Sequence, residues 1–318
     1  MVVPRAVGPA TKTLVTDEWR RAGVDGGTIM TFPKKTVLVT GAASGIGAAT
    51  ARALHDKGAD LVLADLDADR LGAISRELGG MSRVADVRDL GAMHEVVADG
   101  VARFGRIDAV VANAGIGSHG SIEQVDAEIF RAVFDTNVLG AFHTVRAALP
   151  HLLASRGYAL LVSSVAAYVP AAGLAAYCAS KAGVEQLANA LRLELAPRGV
   201  AVGSAHMSWI DTPLLTDSAD EFRAFDRFLR SLPGPAGTIT SAETCGRRLA
   251  KAIEGRKRRV NVPRWVGMAR WAKPLLTLPI AEHAIGTSSR DTIRQLDEEV
   301  ARTGRSATVH TASILNEA

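Results

Sequence analysis

Short apolar runs rich in β-branched residues alternate with helical stretches along most of this chain. The first run, Thr36–Thr40 (TVLVT), leads directly into a glycine-rich turn and then into a helical pattern that ends near Lys57. Apolar strands without polar alternation are buried on both faces. Strands that are separated by helices pair in parallel through right-handed crossovers. The order of these patterns therefore predicts a parallel sheet covered by helices on both faces.

The complete pattern predicts a doubly wound, Rossmann-type α/β fold with seven parallel strands. The predicted strands lie at 36–40, 60–65, 83–87, 107–112, 158–164, 200–205 and 259–262. Helical periods separate them, and the longest helices are predicted at 126–153 and 176–196. A chain of 318 residues, 47% of them apolar, is long enough for one large domain, which we predict at 33–262.

Two segments fall outside the predicted domain. Residues 1–32 show no clear period and are predicted to be an N-terminal extension. Met30 is a candidate natural start, and an arm that packs on a neighbouring subunit is the alternative. Residues 263–318 are predicted to form a C-terminal helical extension, with a polar helix at 291–302 and a disordered end.

Composition and charge exclude several classes of protein. A total of 37 basic and 33 acidic residues gives a formal charge of +4, which is too balanced for a nucleic-acid-binding protein. Two cysteines, Cys178 and Cys245, do not make a disulfide framework and are interpreted as reduced thiols. No stretch is long and apolar enough to cross a bilayer, and the first residues lack the apolar run of a signal peptide. We therefore expect a cytoplasmic protein.

The turn after the first strand carries three glycines, Gly41, Gly45 and Gly47, where the first helix begins. The backbone N–H groups at a helix N-terminus, together with the positive end of the helix dipole, suit a pyrophosphate. A side chain here would block the close approach of the phosphates. We predict a dinucleotide site at this turn, to which Ser44 and Ile46 contribute. An ordinary glycine-rich turn is the alternative.

A carboxylate follows in the position that selects the ribose of a dinucleotide. Asp65 ends the second predicted strand, 18 residues after Gly47, with no basic residue adjacent to it. Such a carboxylate can accept both hydroxyls of the adenosine ribose and would repel a 2′-phosphate, so the sequence favours NAD over NADP. The small turn Asn113-Ala114-Gly115 after the fourth strand lets the backbone approach the cofactor, although any strand-ending turn looks similar.

Tyr177 and Lys181 lie four residues apart in a predicted helix and therefore share one helix face. An ammonium group lowers the pKa of a neighbouring tyrosine, which makes the phenol a usable proton donor or acceptor. Such a pair is common on helices, but Ser164 ends the fifth predicted strand, and all three groups should reach the carboxyl edge of the sheet, where ligands bind. We predict that Ser164 hydrogen-bonds a substrate oxygen while Tyr177 transfers its proton.

Several short motifs occur in a fixed order along the chain. They are Thr40-Gly41-x-x-x-Gly45-Ile46-Gly47, Asp86-Val87, Asn113-Ala114-Gly115, Asn137-Val138, Ser164 and Tyr177-x-x-x-Lys181. Taken together they resemble the short-chain dehydrogenase/reductase family over about residues 34–262. The set is specific, whereas each motif alone is not.

The resemblance implies roles for further residues. Asp86 and Val87 would hold the adenine of the cofactor. Asn137 would interrupt the long helix and hold a water that links Lys181 to solvent, and Lys181 would also bind the nicotinamide ribose. The implied reaction is hydride transfer between NAD(H) and an alcohol or carbonyl substrate. Members of the family are commonly oligomeric, so a homodimer or homotetramer is expected.

The chain departs from the family's pattern in three places. Ala112 stands where the family often has a second asparagine, and Met207-Ser208 stands where it usually has Pro-Gly. The second change affects the backbone next to the nicotinamide. Ile210 and Thr212, which by similarity would hold the carboxamide, are retained. The third departure is the length of chain beyond the seventh strand.

Two segments should decide what binds. By similarity, residues 212–236 form the insertion that covers the substrate, and Phe222, Phe225, Phe228 and Leu229 recur in it at helical spacing. This substrate lid can roof a pocket for a bulky apolar substrate, or its helix can pack on the core or on a partner subunit.

Residues 256–273 form a basic segment with seven lysines and arginines, no acidic residue and two tryptophans. This composition suits peripheral contact with an anionic membrane surface or with an anionic ligand such as an acyl-CoA. A helix docked at a subunit interface is the third interpretation.

The leading functional hypothesis is an NAD(H)-dependent oxidoreductase that interconverts a secondary alcohol and a ketone, with a bulky apolar substrate. An acyl-CoA or aldehyde reductase on the same scaffold and a nicotinamide-binding regulator without turnover are the alternatives. The set Asn137, Ser164, Tyr177 and Lys181 argues against the regulator, because a pure binder does not need all four. The histidines show no metal-ligand spacing, so no metal site is predicted.

Overall fold

The computed structural model describes residues 29–317, apart from the side chains of residues 284, 288, 314, 316 and 317. The strands are β1 (Thr36–Thr40), β2 (Asp60–Asp65), β3 (Met81–Val84), β4 (Ala109–Ala112), β5 (Tyr158–Val162), β6 (Ala201–Met207), β7 (Ile210–Asp211), β8 (Thr240–Ser241) and β9 (Arg259–Val262). Seven of them form one parallel sheet in the order β3-β2-β1-β4-β5-β6-β9. The short strands β7 and β8 pair with each other.

Helices connect the strands and cover both faces of the sheet. They are α1 (Gly45–His55), α2 (Ala68–Leu78), α3 (Leu90–Phe104), α4 (Ala127–Phe134), α5 (Gly140–Ser155), α6 (Ala175–Leu195), α7 (Pro213–Glu221), α8 (Arg223–Ser231), α9 (Ala242–Glu254), α10 (Val266–Leu276), α11 (Pro279–Thr303) and α12 (Val309–Glu317). The predicted seven-stranded, doubly wound Rossmann-type sheet is therefore confirmed.

Two apolar layers form the core, one on each face of the sheet. In β1, Val37 and Val39 face the layer that holds α1, α2 and α9, whereas Leu38 faces the layer that holds α3, α5 and α6. All five residues of β1 are buried. Burial on both faces explains why these strands lack polar alternation in the sequence.

The helix predicted at 126–153 is divided into three parts. Asp126 caps α4 by accepting hydrogen bonds from the backbone N–H groups of Glu128 and Ile129. A π-helical turn, Asp135–Leu139, then separates α4 from α5. π-Helical turns inside α-helices often mark functional positions. This turn contains Asn137, at the place where the family resemblance implied an interruption.

The two ends of the described chain differ from the predicted extensions. Met30 and Phe32 are buried in the core, and the backbone N–H of Met30 donates to the carbonyl of Glu254 at 2.7 Å. The packed domain therefore begins before residue 33, while residues 1–28 of the predicted extension lie outside the described residues. At the other end, the predicted polar helix is longer than expected, and the predicted disordered end was wrong because α12 forms there. Within the described residues, no helix combines the length and apolar character needed to span a bilayer.

Candidate active site

A cavity opens where the carboxyl ends of β1, β4 and β5 meet, at the point where the strand order reverses between β1 and β4. Open α/β sheets bind ligands at this point. The cavity encloses about 460 Å³ and extends from the turn after β1 to α7, α8 and α12. One continuous space therefore joins the predicted dinucleotide turn to the predicted substrate lid.

The glycine turn after β1 forms one end of the cavity. Gly41 and Gly45 adopt φ values of +64° and +52°, which glycine tolerates and other residues rarely do. Together with Ser44 and Ile46 they line the cavity wall. Gly47 does not line the cavity and is packed against the turn itself. A Cβ at this position would lie 1.9 Å from the carbonyl oxygen of Gly41. Gly47 instead allows α1 to begin close against the end of β1, so its contribution to a cofactor site is indirect.

Asp65 borders the same end of the cavity and is fixed by backbone contacts. One carboxylate oxygen accepts the N–H of Ala43 at 2.9 Å, and the other accepts the N–H of Asp67 at 3.1 Å. Because these donors fix its orientation, the carboxylate is held between the glycine turn and the start of α2. The remaining lone pairs can accept ribose hydroxyls.

Asp86 and Val87 line the cavity beyond the end of β3. Asp86 accepts hydrogen bonds from the backbone N–H and from Nε of Arg88, at 2.8 and 2.7 Å. The carbonyl of Val87 lies 2.9 Å from Nδ1 of His143 in α5. Contacts with Arg88 and His143 therefore hold this part of the cavity wall in place. The family resemblance implies that the adenine binds here.

Asn113 ties the ends of two neighbouring strands together. Its side-chain amide donates to the carbonyls of Thr40 and Gly41, at 3.0 and 3.1 Å, and its backbone N–H donates to Oγ1 of Thr40. Gly115 follows, and a Cβ there would lie 3.0 Å from Oδ1 of Asn137 and 3.1 Å from Nζ of Lys181. Both residues line the cavity, and a side chain in place of Gly115 would require Asn137 or Lys181 to shift.

Tyr177 lies in the first turn of α6, and Lys181 follows one helical turn later. Ser164, which follows β5, lies close enough to Tyr177 to lower the pKa of its phenol, and the Ser164 hydroxyl itself donates to the carbonyl of Met207 at 3.4 Å. Nζ of Lys181 lies 5.6 Å from the centre of the Tyr177 ring and donates to the carbonyl of Val162 at 3.1 Å. All three predicted catalytic groups border the cavity. The sequence expectation that they meet at this edge of the sheet agrees with this geometry.

Burial dominates the protonation of the tyrosine and the lysine. It raises the pKa of Tyr177 to about 12, and the nearby Ser164 hydroxyl opposes this shift. Burial likewise lowers the pKa of Lys181 to about 8. The expectation that the ammonium lowers the tyrosine pKa was wrong for the protein alone, because the loss of hydration disfavours both charged forms.

Asn137 lies behind the catalytic groups and does not line the cavity. Its Oδ1 accepts the N–H of Ile116 at 2.8 Å, and its Nδ2 donates to the carbonyl of Ile116 and to Oγ of Ser180. The asparagine thus joins the π-helical turn, the loop after β4 and α6. It fixes the positions of Gly115 and Lys181 relative to each other.

A buried polar network contacts the backbone of Ser164. Nδ1 of His206 lies 3.3 Å from the carbonyl of Ser164, and Nε2 lies 3.0 Å from the Tyr168 hydroxyl and 2.6 Å from a carboxylate oxygen of Glu185. Burial favours the neutral acid, but the contacts with His206 and Arg259 hold the pKa of Glu185 well below its usual range. These contacts hold the backbone at Ser164 in position.

The substrate lid closes the other end of the cavity. Phe225 and Phe228 of α8 line it, and the ring of Trp209 meets both of them edge-on. Phe222 and Leu229 instead pack with Leu296 and Val300 of α11. One side of α8 therefore faces the cavity, and the other packs on α11, while the covering of a substrate by this segment stays a prediction.

Several cavity-lining residues carry no predicted role. They are Ser118, His119, Leu174, Ser208, Trp209, Trp265, Thr308, His310, Thr311 and Leu315. Trp209 directly precedes Ile210, a predicted site position, so this neighbour provides a signal for it. The last four belong to a segment that is remote in sequence and offers no local signal.

Fourteen of the predicted site residues line the cavity. They are Gly41, Ser44, Gly45, Ile46, Asp65, Asp86, Val87, Asn113, Gly115, Ser164, Tyr177, Lys181, Ile210 and Thr212. Gly47 and Asn137 lie one layer behind it. A cavity at the switch point of a Rossmann-type sheet, lined by the predicted proton-transfer groups and the glycine turn, is typical of the class of nicotinamide-dependent oxidoreductases.

The chain belongs to the short-chain dehydrogenase family, whose model matches residues 35–222. It is 35% identical to trans-4-hydroxycyclohexanecarboxylate dehydrogenase of Sinomonas cyclohexanicum over 192 residues, which cover 57% of this chain and 74% of that protein. It is also 35% identical to (-)-trans-carveol dehydrogenase of Rhodococcus erythropolis over 201 residues, 57% and 73% of the two chains. The crystal structure of levodione reductase superposes with a TM-score of 0.67 at 25% identity, covering 73% of this chain and 96% of that one.

Proposed function

We propose that this protein is an NAD(H)-dependent oxidoreductase that interconverts a secondary alcohol and a ketone on a bulky, apolar substrate. The observation that carries the proposal is the meeting of Ser164, Tyr177 and Lys181 on the wall of a cavity that also reaches the glycine turn. Two of the similar proteins act, by their names, on cyclic alcohols. A ring-shaped secondary alcohol suits the same cavity.

The cavity wall fits a dinucleotide. The glycines with positive φ lie at the N-terminus of α1, where the helix dipole and free N–H groups favour phosphate. Asp65 is fixed where it can accept ribose hydroxyls, and its charge disfavours a 2′-phosphate. These features support NAD over NADP. A bound nicotinamide supplies or accepts the hydride.

The protein's own residues manage the substrate oxygen and its proton. Ser164 offers a hydroxyl that can hydrogen-bond this oxygen, and Tyr177 holds the proton that the oxygen gains or loses. The raised pKa of Tyr177, about 12, keeps the phenol protonated in the protein alone, which suits proton donation to a carbonyl. Lys181 lies behind the ring and can hold the cofactor ribose, as the family resemblance implies.

The substrate end of the cavity supports an apolar ligand. Its wall includes Leu174, Trp209, Leu214, Phe225, Phe228 and Leu315. His119 also lies there, and burial lowers its pKa to about 4, so the ring is neutral at physiological pH. A neutral, largely apolar wall favours a substrate whose reacting oxygen is its main polar group.

The acyl-CoA alternative has less support. Of the lysines and arginines, Arg88 and Lys181 line the described cavity, and Arg88 is paired with Asp86. Within the basic segment 256–273, only Trp265 reaches the cavity wall among the described residues. A cytoplasmic location and a homodimer or homotetramer remain predictions.

The central test is the Tyr177→Phe variant. We expect its turnover of a cyclic secondary alcohol with NAD⁺ to fall by roughly 10²–10⁴-fold, because the proton-transfer group is lost while the ring remains. NADH binding, followed by fluorescence titration, should stay close to wild type. If the variant keeps its turnover, the proton-transfer assignment is wrong. If the wild type oxidises no alcohol although it binds NADH, the regulator alternative holds instead.

A further inference from the structure

An unusual row of apolar side chains projects from the start of the C-terminal extension. Met268, Trp271 and Leu275 of α10 are 67%, 76% and 63% exposed, and Leu278 and Ile280 beyond it are 47% and 81% exposed. These five side chains are called the apolar ridge below. Single exposed apolar residues are ordinary, but a contiguous group of large ones marks an interaction site. α10 itself is anchored through Val266 and Ala269, which are buried.

Exposed cations flank the part of the apolar ridge that lies in α10, and the acidic Glu282 follows Ile280 at its other end. Arg264, Arg270 and Lys273 are exposed, and residues 255–281 contain no acidic residue. The Arg270 guanidinium lies 5.0 Å from the centre of the Trp271 ring, so the cation and the aromatic face occupy one surface. An apolar row with a tryptophan and flanking cations has the composition of a helix that lies in a membrane interface.

The structure divides the basic segment into two parts with different surroundings. Arg256 donates to the carbonyl of Arg156 at 2.7 Å, and Arg259 donates to Glu185 at 2.8 Å. Those two side chains are therefore occupied within the fold. Arg264 and Arg270 belong to the second part, beside the apolar ridge, and both are exposed there.

The apolar ridge lies next to the candidate active site. Ala269 packs with Ala167 and Tyr168, and Nζ of Lys273 donates to the carbonyl of Ala167 at 3.2 Å. Ala167 belongs to the segment that follows Ser164, and Trp265 at the start of α10 lines the cavity. α10 therefore contacts the candidate active site with its buried side and carries the apolar ridge on its exposed side.

We propose that the apolar ridge docks the protein on an anionic lipid bilayer. Trp271 and the aliphatic side chains would enter the headgroup region, while Arg264 and Arg270 contact lipid phosphates. Charge complementarity favours this occupant over a second copy of the chain, because two such ridges placed face to face would bring like charges together. The inference does not depend on the proposed activity.

Flotation with vesicles tests the proposal on the full chain. Wild-type protein should float with phosphatidylcholine vesicles that contain phosphatidylglycerol, and far less with phosphatidylcholine alone. The triple variant Met268→Ser, Trp271→Ser, Leu275→Ser should lose at least roughly tenfold in partitioning onto the vesicles, since three apolar side chains that would contact lipid are removed. The matched control, Val84→Ser, Ile122→Ser, Leu193→Ser, changes three side chains that are also exposed but lie elsewhere, and should bind as wild type does.

A second variant tests the charge. Replacing Arg264 and Arg270 with serine should weaken binding to the anionic vesicles by roughly fivefold for each arginine, and added salt should weaken the wild type in the same way. Unchanged NADH binding by both variants would show that they are folded.

Three results would overturn the proposal. In the first, the wild type does not float with anionic vesicles. In the second, the ridge variant and its control float equally. In the third, sedimentation without lipid shows a dimer that the ridge variant dissociates, and the apolar ridge then belongs to a second copy.

Discussion

Lys181 is a charged side chain in surroundings that favour its neutral form. It is buried, it donates to a single carbonyl, and burial lowers its pKa to about 8. Tyr177 experiences the opposite shift for the same reason. Sequence spacing places these two residues on one helix face, but their protonation depends on the water that the surrounding chain excludes. Perturbed groups of this kind often mark functional sites at a cost in stability.

This cost is testable with the Lys181→Met variant. We expect its melting temperature without cofactor to rise by roughly 3–6 °C at pH 7, because a buried ammonium is removed. The gain should shrink as the pH rises from about 8 towards the ordinary lysine pKa of 10.5. Over this interval the folded lysine is already neutral and the unfolded one still binds a proton, so deprotonation increasingly favours the wild-type fold. Turnover should fall strongly.

Differential scanning fluorimetry across this pH range provides the measurement. The exposed Lys251→Met variant serves as the control and should melt as the wild type does at each pH. A melting temperature of Lys181→Met that is lower than wild type at pH 7 would contradict the expected cost of the buried charge.

Asp65 is the residue on which the proposed preference for NAD over NADP depends. The Asp65→Asn variant keeps an oxygen that can accept a backbone N–H but removes the charge facing the ribose. We expect the ratio of kcat/KM with NADH to that with NADPH to fall by roughly 10–100-fold, because repulsion of the 2′-phosphate is lost. Steady-state kinetics with both cofactors give the ratio. The exposed Asp69→Ser variant should leave it unchanged, and an unchanged ratio in Asp65→Asn would mean that another group selects the cofactor.

At the scale of elements, close approach between helices and strands shapes the site. Gly47 lets α1 begin against the end of β1, and the π-helical turn at Asp135–Leu139 places Asn137 between α6 and the loop after β4. α1 also packs tightly against α9 through Gly246, where a Cβ would lie 2.4 Å from the backbone carbonyl atoms of Ala49. The position of the glycine turn after β1 therefore depends on a helix from the far end of the domain.

The contact between α1 and α9 gives an element-scale prediction. Gly246→Ala should destabilise the protein by about 1–3 kcal/mol, since the new methyl group forces the two helices apart. Gly72→Ala is the matched control, because a Cβ added at Gly72 in α2 would meet nothing within 4 Å. It should be neutral or stabilise by up to about 1 kcal/mol. Thermal unfolding of both variants makes the comparison, and equal effects would contradict the close packing.

At the scale of the whole molecule, the C-terminal extension folds back over the end of the cavity that α7 and α8 line. Glu221 at the end of α7 accepts the N–H of Val309 at 3.0 Å and pairs with Arg305 at 3.1 Å. The carbonyl of Ser306 accepts the N–H of His119, and Thr308 and Thr311 line the cavity. The lid, the loop after β4 and the chain end thus enclose one pocket.

Glu221→Ala should loosen this enclosure. We expect KM for an apolar ketone to rise by roughly fivefold, which corresponds to about 1 kcal/mol of lost binding, while NADH affinity stays unchanged. Initial-rate kinetics and NADH titration separate the two effects. The exposed Glu282→Ala variant is the control. A parallel loss of NADH affinity would show that the extension supports the whole cavity and not only its substrate end.

The sequence by itself determined the order of strands and helices, because burial on both faces leaves continuous apolar runs and each crossover needs a helix. It also indicated the part of the cavity wall around the glycine turn and the Tyr177–Lys181 pair, since the glycines, Asp65, Ser164 and this pair stand at strand ends or on one helix face, positions that local periodicity specifies. These signals are short in range.

Only the tertiary structure decided how the cavity closes and how its groups titrate. Thr311 and Leu315 reach the cavity from a segment about 130 residues beyond Tyr177, and no local pattern links them. The raised tyrosine pKa and the exposure of the apolar ridge depend likewise on what packs around each side chain. Burial is a property of the assembled chain, and for this reason a residue's type and spacing do not specify it.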